Sequence, residues 1–360
     1  MYSSTFYGLN LVSELEESQL SENSGLISLN NSLWSINDGG NTTSIYQLDT
    51  SGNILREVTV TNVENTDWEA ITQNDSHIFI GDFGNNLGSR QNLNIITINK
   101  ADLLDTSVET VQGQESFFRY EDQLSFSWPL NGHNFDCEAF VAFSDSLFLF
   151  TKNWEDGEVN RYALPTLWSG EEIANRVESY NIGGLVTDAA IDLESGKLIL
   201  LGYNDAGTGI YSSFVCLLWD YEFRNVFSGH KRRIEIGSML SVGQTEGLTM
   251  NSPYSGFISS EQISSIITIP PKLFAFDFQL FFSPTLGLTS FSTNATLLFP
   301  NPVYQTLKVS QFSGAYQIHT YNGVLLRSGF SLDGFIDVQH LTAGQYFLKL
   351  QKTSYLFIKR

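Results

Sequence analysis

A carboxylate recurs along this chain at the start of short apolar runs of similar shape. Glu69-Ala70-Ile71, Glu138-Ala139-Phe140-Val141, Asp188-Ala189-Ala190-Ile191 and Glu246-Gly247-Leu248 each open one, and Ser24-Gly25-Leu26-Ile27 opens a fifth. Each is followed by a turn and a second apolar run with a polar or acidic end: Asn37-Asp38, Asp82, Asn153, Asn204-Asp205 and Glu261. Repeated carboxylate oxygens suit cation chemistry. Ca²⁺ accepts about six to eight hard oxygen ligands in loose geometry, and a narrow acidic channel concentrates positive charge.

Whether these groups meet depends on the elements that carry them. In a hairpin, the start of the first strand lies beside the end of the second. A third apolar run follows each pair: Ile45–Leu48, Ile95–Ile98, Arg161–Leu164, Val215–Leu218 and Ile266–Ile269; a fourth is visible in Ile54–Val60. The copies start at 24, 69, 138, 188 and 246, spaced by 45, 69, 50 and 58 residues. One four-stranded antiparallel blade plus loops fills each interval, which is the pattern of a β-propeller. The expected fold is all-β: a propeller of five blades over residues 1–280, or six if the long second interval hides further strands. Phe6–Val12 is expected to complete the last blade and close the ring.

A closed ring brings the repeated positions to one mouth of the axis. Glu69, Asp82, Glu138, Asp188, Asp205, Glu246 and Glu261 are the expected ligand-binding set, with Glu69, Glu138 and Glu246 as Ca²⁺ ligands. Glu22, Asp67 and Asp136, two positions upstream, are expected to add to it. Three roles are open to these groups: locking blades through backbone hydrogen bonds, holding a cation, or catalysis at the mouth.

The segments Asp67-Trp68-Glu69-Ala70-Ile71, Gly81-Asp82-Phe83-Gly84-Asn85-Asn86 and Gln244-Thr245-Glu246-Gly247-Leu248 loosely resemble the SdiA-regulated and esterase-like phytase group of bacterial propellers. That resemblance implies the fold. Part of the group is suspected of phosphoesterase chemistry, which makes a Ca²⁺-dependent hydrolase the alternative to a binding or scaffold module. No catalytic set transfers residue by residue. Asp82-Phe83-Gly84 matches a kinase motif by chance and is read as a turn with Gly84 and an Asn at positive φ.

The last residues have a different character. Phe299-Pro300-Asn301-Pro302-Val303, a turn at Asn322-Gly323, and Leu341-Thr342-Ala343-Gly344-Gln345-Tyr346 with a basic Lys359-Arg360 terminus resemble the type A C-terminal sorting domain of the type IX (Por) secretion system of Bacteroidetes. The carriers are Pro300, Asn301, Pro302, Gly344, Tyr346 and Lys359. The resemblance implies an Ig-like β-sandwich over 297–360, export across the outer membrane, a secreted or surface-held product, and the secretion machinery and its sortase-like peptidase as partners. Short alternating runs separated by Gly and Asn agree with a sandwich. Residues 281–296, rich in Ser and Thr, are the expected linker.

Charge divides the chain at the same place. The whole carries 19 basic and 39 acidic residues, net −20, whereas 297–360 holds six basic and two acidic. The body is therefore strongly anionic and repels nucleic acid and anionic membrane. No apolar run approaches the length of a transmembrane helix. Met1-Tyr2-Ser3-Ser4 lacks a signal peptide's basic and apolar regions, so type IX export would imply a mature fragment or a misplaced start. Cys137 and Cys216 are read as small core residues rather than a disulfide, the tryptophans as packing between sheets, His133 as a loop histidine, and His230-Lys231-Arg232-Arg233 as a solvated turn. No His-Glu-x-x-His, Gly-x-Ser-x-Gly or P-loop pattern occurs.

Overall fold

The computed structural model describes residues 5–205, 211–222, 224–264, 268–283, 298–309, 312–320, 323–350 and 353–360. It divides into two compact units, 1–284 and 285–360.

Five antiparallel blades make up the first unit. Their innermost strands are Asn23–Leu29, Trp68–Gln73, Cys137–Phe143, Leu185–Asp192 and Gln244–Met250. Each packs against the next, and the fifth against the first, so the ring closes. Outward from each run three more strands. In the fifth blade the outermost is the N-terminal Asn10–Glu14, paired to Lys272–Asp277. One end of the chain thus closes the circle begun near residue 23. Thr5–Phe6 joins the neighbouring blade beside His230–Ser238.

The blades hold together through five apolar interfaces, one between each adjacent pair. Trp34, Trp68 and Ile80 fill the first-to-second interface, and Phe83, Phe140 and Tyr120 the second-to-third. Phe148, Phe150 and Phe214 fill the third-to-fourth. Leu201, Leu217 and Phe276 fill the fourth-to-fifth, while Leu26, Tyr46 and Leu273 seal the closing seam. Because both faces of every blade are covered, the inner strands read as apolar runs rather than strict alternation. Cys137 and Cys216 are free and buried in these interfaces.

The long second interval builds no sixth blade among the described residues. It supplies Thr110–Gln112, a parallel fifth strand on the first blade, and Gln114–Tyr120, the outer strand of the second. The latter also pairs in parallel with Glu171–Tyr180 of the third blade. This seam leaves neither strand as an open edge.

Several local expectations change. Ile266 and Ile267 lie outside the described residues, and Thr268–Ile269 pairs with Ile263–Ser264 in a small separate hairpin. The fifth blade's third strand is Lys272–Asp277, just past the Pro270-Pro271 pair. His230–Ser238 is a full outer strand, not a solvated turn. Its Arg232 and Arg233 donate to backbone carbonyls, Arg232 to Ser283 at 2.8 Å and Arg233 to Ile182 at 2.7 Å. Phe281 and Phe282 pack on the fourth-to-fifth core, and 284–297 lie outside the described residues.

The second unit contains a three-stranded and a four-stranded sheet around Leu307, Ile318, Ile336, Leu348 and Phe357. Its signature residues, far apart in sequence, come together. Asn301 accepts the Ile358 N–H at 2.9 Å, and Val303 bridges in parallel to Lys359. The Tyr346 hydroxyl donates to the Thr342 carbonyl at 2.8 Å, and its ring stacks on Phe357. Gly344 opens the strand that carries Tyr346. Among the described residues, no helix is long and apolar enough to cross a membrane.

Candidate functional site: the acidic mouth of the propeller axis

Each inner strand carries one extra residue, a β-bulge, at the same place. The unpaired residues are Gly25, Glu69, Glu138, Thr187 and Glu246, set between register shifts at Ser24/Leu26, Trp68/Ala70, Cys137/Ala139, Val186/Asp188 and Thr245/Gly247. A bulge breaks the alternation of faces and re-aims a side chain. In three blades that side chain is a glutamate. Glu69, Glu138 and Glu246 line a cavity of about 220 Å³, together with Asp38, Glu261, Lys152, Trp154, Tyr203 and Gln244. A larger cavity of about 330 Å³ is lined by residues further along the inner strands, among them Leu26, Ile71, Ala189 and Leu248, and by polar groups such as Gln73 and Asp192. Its charged groups, Asp75, Lys100, Asp192 and Glu194, are of mixed sign and none stands at a bulge, so the first is the candidate site.

Two differently built groups of side chains meet at the mouth. In one, Lys152 donates to both oxygens of Glu138 at 2.5 Å, and both side chains are almost fully buried. The ammonium also lies 4.9 Å from the Trp154 ring centroid and 5.1 Å from that of Tyr203, favourable cation–π placements. Next to this pair, Gln244 donates to Glu246 at 2.8 Å. Burial drives the Glu246 pKa up to about 7, although Lys152 opposes it. Glu261 rises to about 9, through burial and then the charge of Glu246.

The second group is three carboxylates, with Arg90 4.0 Å from Asp67 Oδ2 at its edge. One carboxylate oxygen from each of Asp38, Asp67 and Glu69 lies within 4.8 Å of the others. Glu69 is 6% exposed, and among the described residues its carboxylate accepts no hydrogen bond and forms no ion pair. Burial first, and then Asp38, push its pKa well up. Burial and Asp38 likewise raise Asp67 to about 7. Gly84 allows this approach: a Cβ there would lie 2.1 Å from Glu69 Oε1 and 2.5 Å from Asp67 Oδ2. Its glycine therefore serves close packing, not positive φ; in this loop the positive φ belongs to Gly88.

The remaining expected residues take structural posts. Asp188 sits one residue past its blade's bulge and accepts the backbone N–H of Ala189 at 2.7 Å and of Leu248 at 2.6 Å, tying the fourth blade to the fifth. Asp82 pairs with Arg90 at 2.8 Å and accepts the Asp67 N–H at 3.0 Å. Asp136 accepts from Asn85 N–H and Trp154 Nε1, joining the second blade to the third. Glu22 is exposed and receives the Asn41 amide. Asp205 ends its strand opposite Tyr211, and its side chain lies outside the described residues. His133 accepts the Phe135 N–H and is buried in its loop.

Sequence reasoning missed Lys152 and gave Asp38 no role at the mouth. Both follow immediately after the second strand of their blades, and a lysine among repeated acids is a signal that was open to reading.

No protein-family model matches the chain, and no curated protein does. Among solved structures, PorZ, a surface component of the type IX secretion system of Porphyromonas gingivalis, is 14% identical with a TM-score of 0.33. That alignment covers 94% of this chain and 45% of PorZ, so the chain spans under half of it. Regucalcin, a calcium-binding protein of Agrobacterium tumefaciens, is 12% identical with a TM-score of 0.40, over 76% of this chain and 95% of its own. The β-xylosidase RS223 is 10% identical with a TM-score of 0.39, over 58% and 75% respectively. The assignment of the fold rests on the strand pairing: a five-bladed propeller with a sandwich tail.

Proposed function

We propose that this chain is an exported binding propeller that captures a cationic ligand at the acidic mouth of its axis. The sandwich tail would serve as its sorting signal for a type IX secretion machinery and a sortase-like peptidase. One observation carries the binding reading: bulges at a single repeat position turn Glu69, Glu138 and Glu246 toward a shared cavity. Asp38, Asp67 and Glu261 add to them, against the Lys152 ammonium and the Arg90 guanidinium, which Asp82 shares with Asp67. Six carboxylates in a desolvated space repel one another, and a cation relieves that repulsion. An anionic phosphoester meets the opposite field, which favours binding over the hydrolase alternative.

The tail reading rests on the resemblance of its motif and on the contacts that gather Asn301, Val303 and Lys359. Thermal melts with calcium, magnesium, spermidine and a lysine-rich peptide test the mouth. At least one should raise the melting temperature in proportion to its occupancy, and Glu246→Gln/Glu261→Gln should weaken that response. Failure of all four to shift the melt removes the reading. For the tail, mass spectrometry of the exported protein should show cleavage ahead of residue 298; an exported form that retains Lys359 contradicts it.

A further inference from the structure

Resting on the reading of a cation-capturing mouth, we infer that Asp38, Asp67 and Glu69 form a divalent-cation site of calcium type. Oxygens bound to one calcium at about 2.4 Å cannot lie more than about 4.8 Å apart. The three carboxylates meet that limit as they stand. Glu69 supplies the independent pointer. The residue is over nine-tenths buried, and its carboxylate takes no hydrogen bond or ion pair among the described residues and aims at the point where Asp67 also converges. Buried charges are ordinarily paired or metal-bound, and the other two bulged glutamates have partners: Glu138 has Lys152 and Glu246 has Gln244.

The space around the group is kept open by glycines. A Cβ on Gly39 would lie 2.4 Å from Asp67 Oδ1, and one on Gly84 would strike both Glu69 and Asp67. Arg90, held by Asp82, lies 4.0 Å from Asp67 Oδ2 and fixes its outer edge. Three carboxylates from a bulge and two loops, facing an open mouth, leave positions for water and impose no octahedron. That suits calcium better than magnesium, which demands near-ideal octahedral geometry. Glu138 and Glu246, expected from sequence as ligands, fall outside the site because each already has a partner.

The test is calorimetric titration of the full chain, stripped with EDTA, using calcium chloride and then magnesium chloride. One calcium per chain is expected, bound at least tenfold more tightly than magnesium. Glu69→Gln should weaken calcium at least a hundredfold while leaving the metal-free melting temperature equal to or above wild type, since it deletes an unpartnered buried charge. Asp38→Asn gives a second, independent loss, whereas Glu246→Gln should weaken calcium less than tenfold. Calcium binding that survives Glu69→Gln within threefold, or that depends more on Glu246, overturns the site but leaves the mouth reading standing. So does binding of spermidine or the lysine-rich peptide without any calcium. Silence toward every cation removes both.

Discussion

Replacing Lys152 with methionine keeps most of the side chain's length and removes its charge. Lys152 and Glu138 are 5% and 6% exposed in their side chains and 2.5 Å apart, so the variant leaves a buried carboxylate without its partner. Removing one member of a buried pair costs about 3–5 kcal/mol. Loss of two cation–π contacts adds to this, while the methionine retains apolar contact with Trp154 and Tyr203 and Glu138 can take up a proton. These offsets place the expected loss near the lower limit, about 3 kcal/mol at pH 8. In a unit of this size that is a fall of roughly 6–12 °C in melting temperature. The loss should shrink as pH falls, because protonated Glu138 no longer needs the ammonium. Calorimetric melts of wild type, Lys152→Met, Glu138→Gln and the double variant close a cycle. The double variant should be more stable than the sum of single losses predicts by at least about 2 kcal/mol. A single-variant loss under about 1 kcal/mol, or additive losses, would show that the pair is solvated and refute the reasoning.

Other consequences follow from the same geometry. Glu246 titrates near 7 and Glu261 near 9, both raised by burial, so the folded state holds their protons more tightly than the unfolded chain does. Their stabilising contribution is full below about pH 4.5 and is lost as pH rises through those values. At about 1.4 kcal/mol per pH unit, Glu246 alone sets a ceiling of about 3 kcal/mol. Metal-free melting temperature should therefore fall from pH 5 to pH 9, and a rise over that range would contradict the burial of these groups. Gly25 stands at φ +71°, where a Cβ would lie 2.8 Å from the Ile71 nitrogen; Gly25→Ala should cost about 2–4 kcal/mol by chemical denaturation, and a neutral result would place the first bulge elsewhere. Asn301→Ala removes the acceptor for the Ile358 N–H and the donor to the Leu356 carbonyl. It should lower the tail's stability by about 1–2 kcal/mol without moving the propeller's melt.

The ring was readable because the same slot recurs at the start of every inner strand, and covered faces make those strands uniformly apolar. The phase within a strand was not. Residue types favour Ser24 and Asp188 at the slot, yet the bulges fall on Gly25 and Thr187. A one-residue bulge shifts facing without changing composition, so Asp188 turns from the mouth to cap the backbone of the next blade. Isoleucines at 266–269 drew the fifth blade's third strand too early, since a Pro-Pro pair reads as a break yet here directly precedes the strand. The conformation of Gly84 was likewise out of reach: its reason lies in Glu69 and Asp67, which only the fold brings against it.

The convergence of bulged glutamates on one mouth is tested most directly by anomalous diffraction from a crystal of the full chain soaked in a terbium salt, the ion standing in for calcium. A dominant peak inside the cavity bounded by Glu69, Glu138 and Glu246 is the expected result. A clean cavity with ions confined to the outer blade surfaces or to the second cavity beside Asp192 and Glu194 would contradict it.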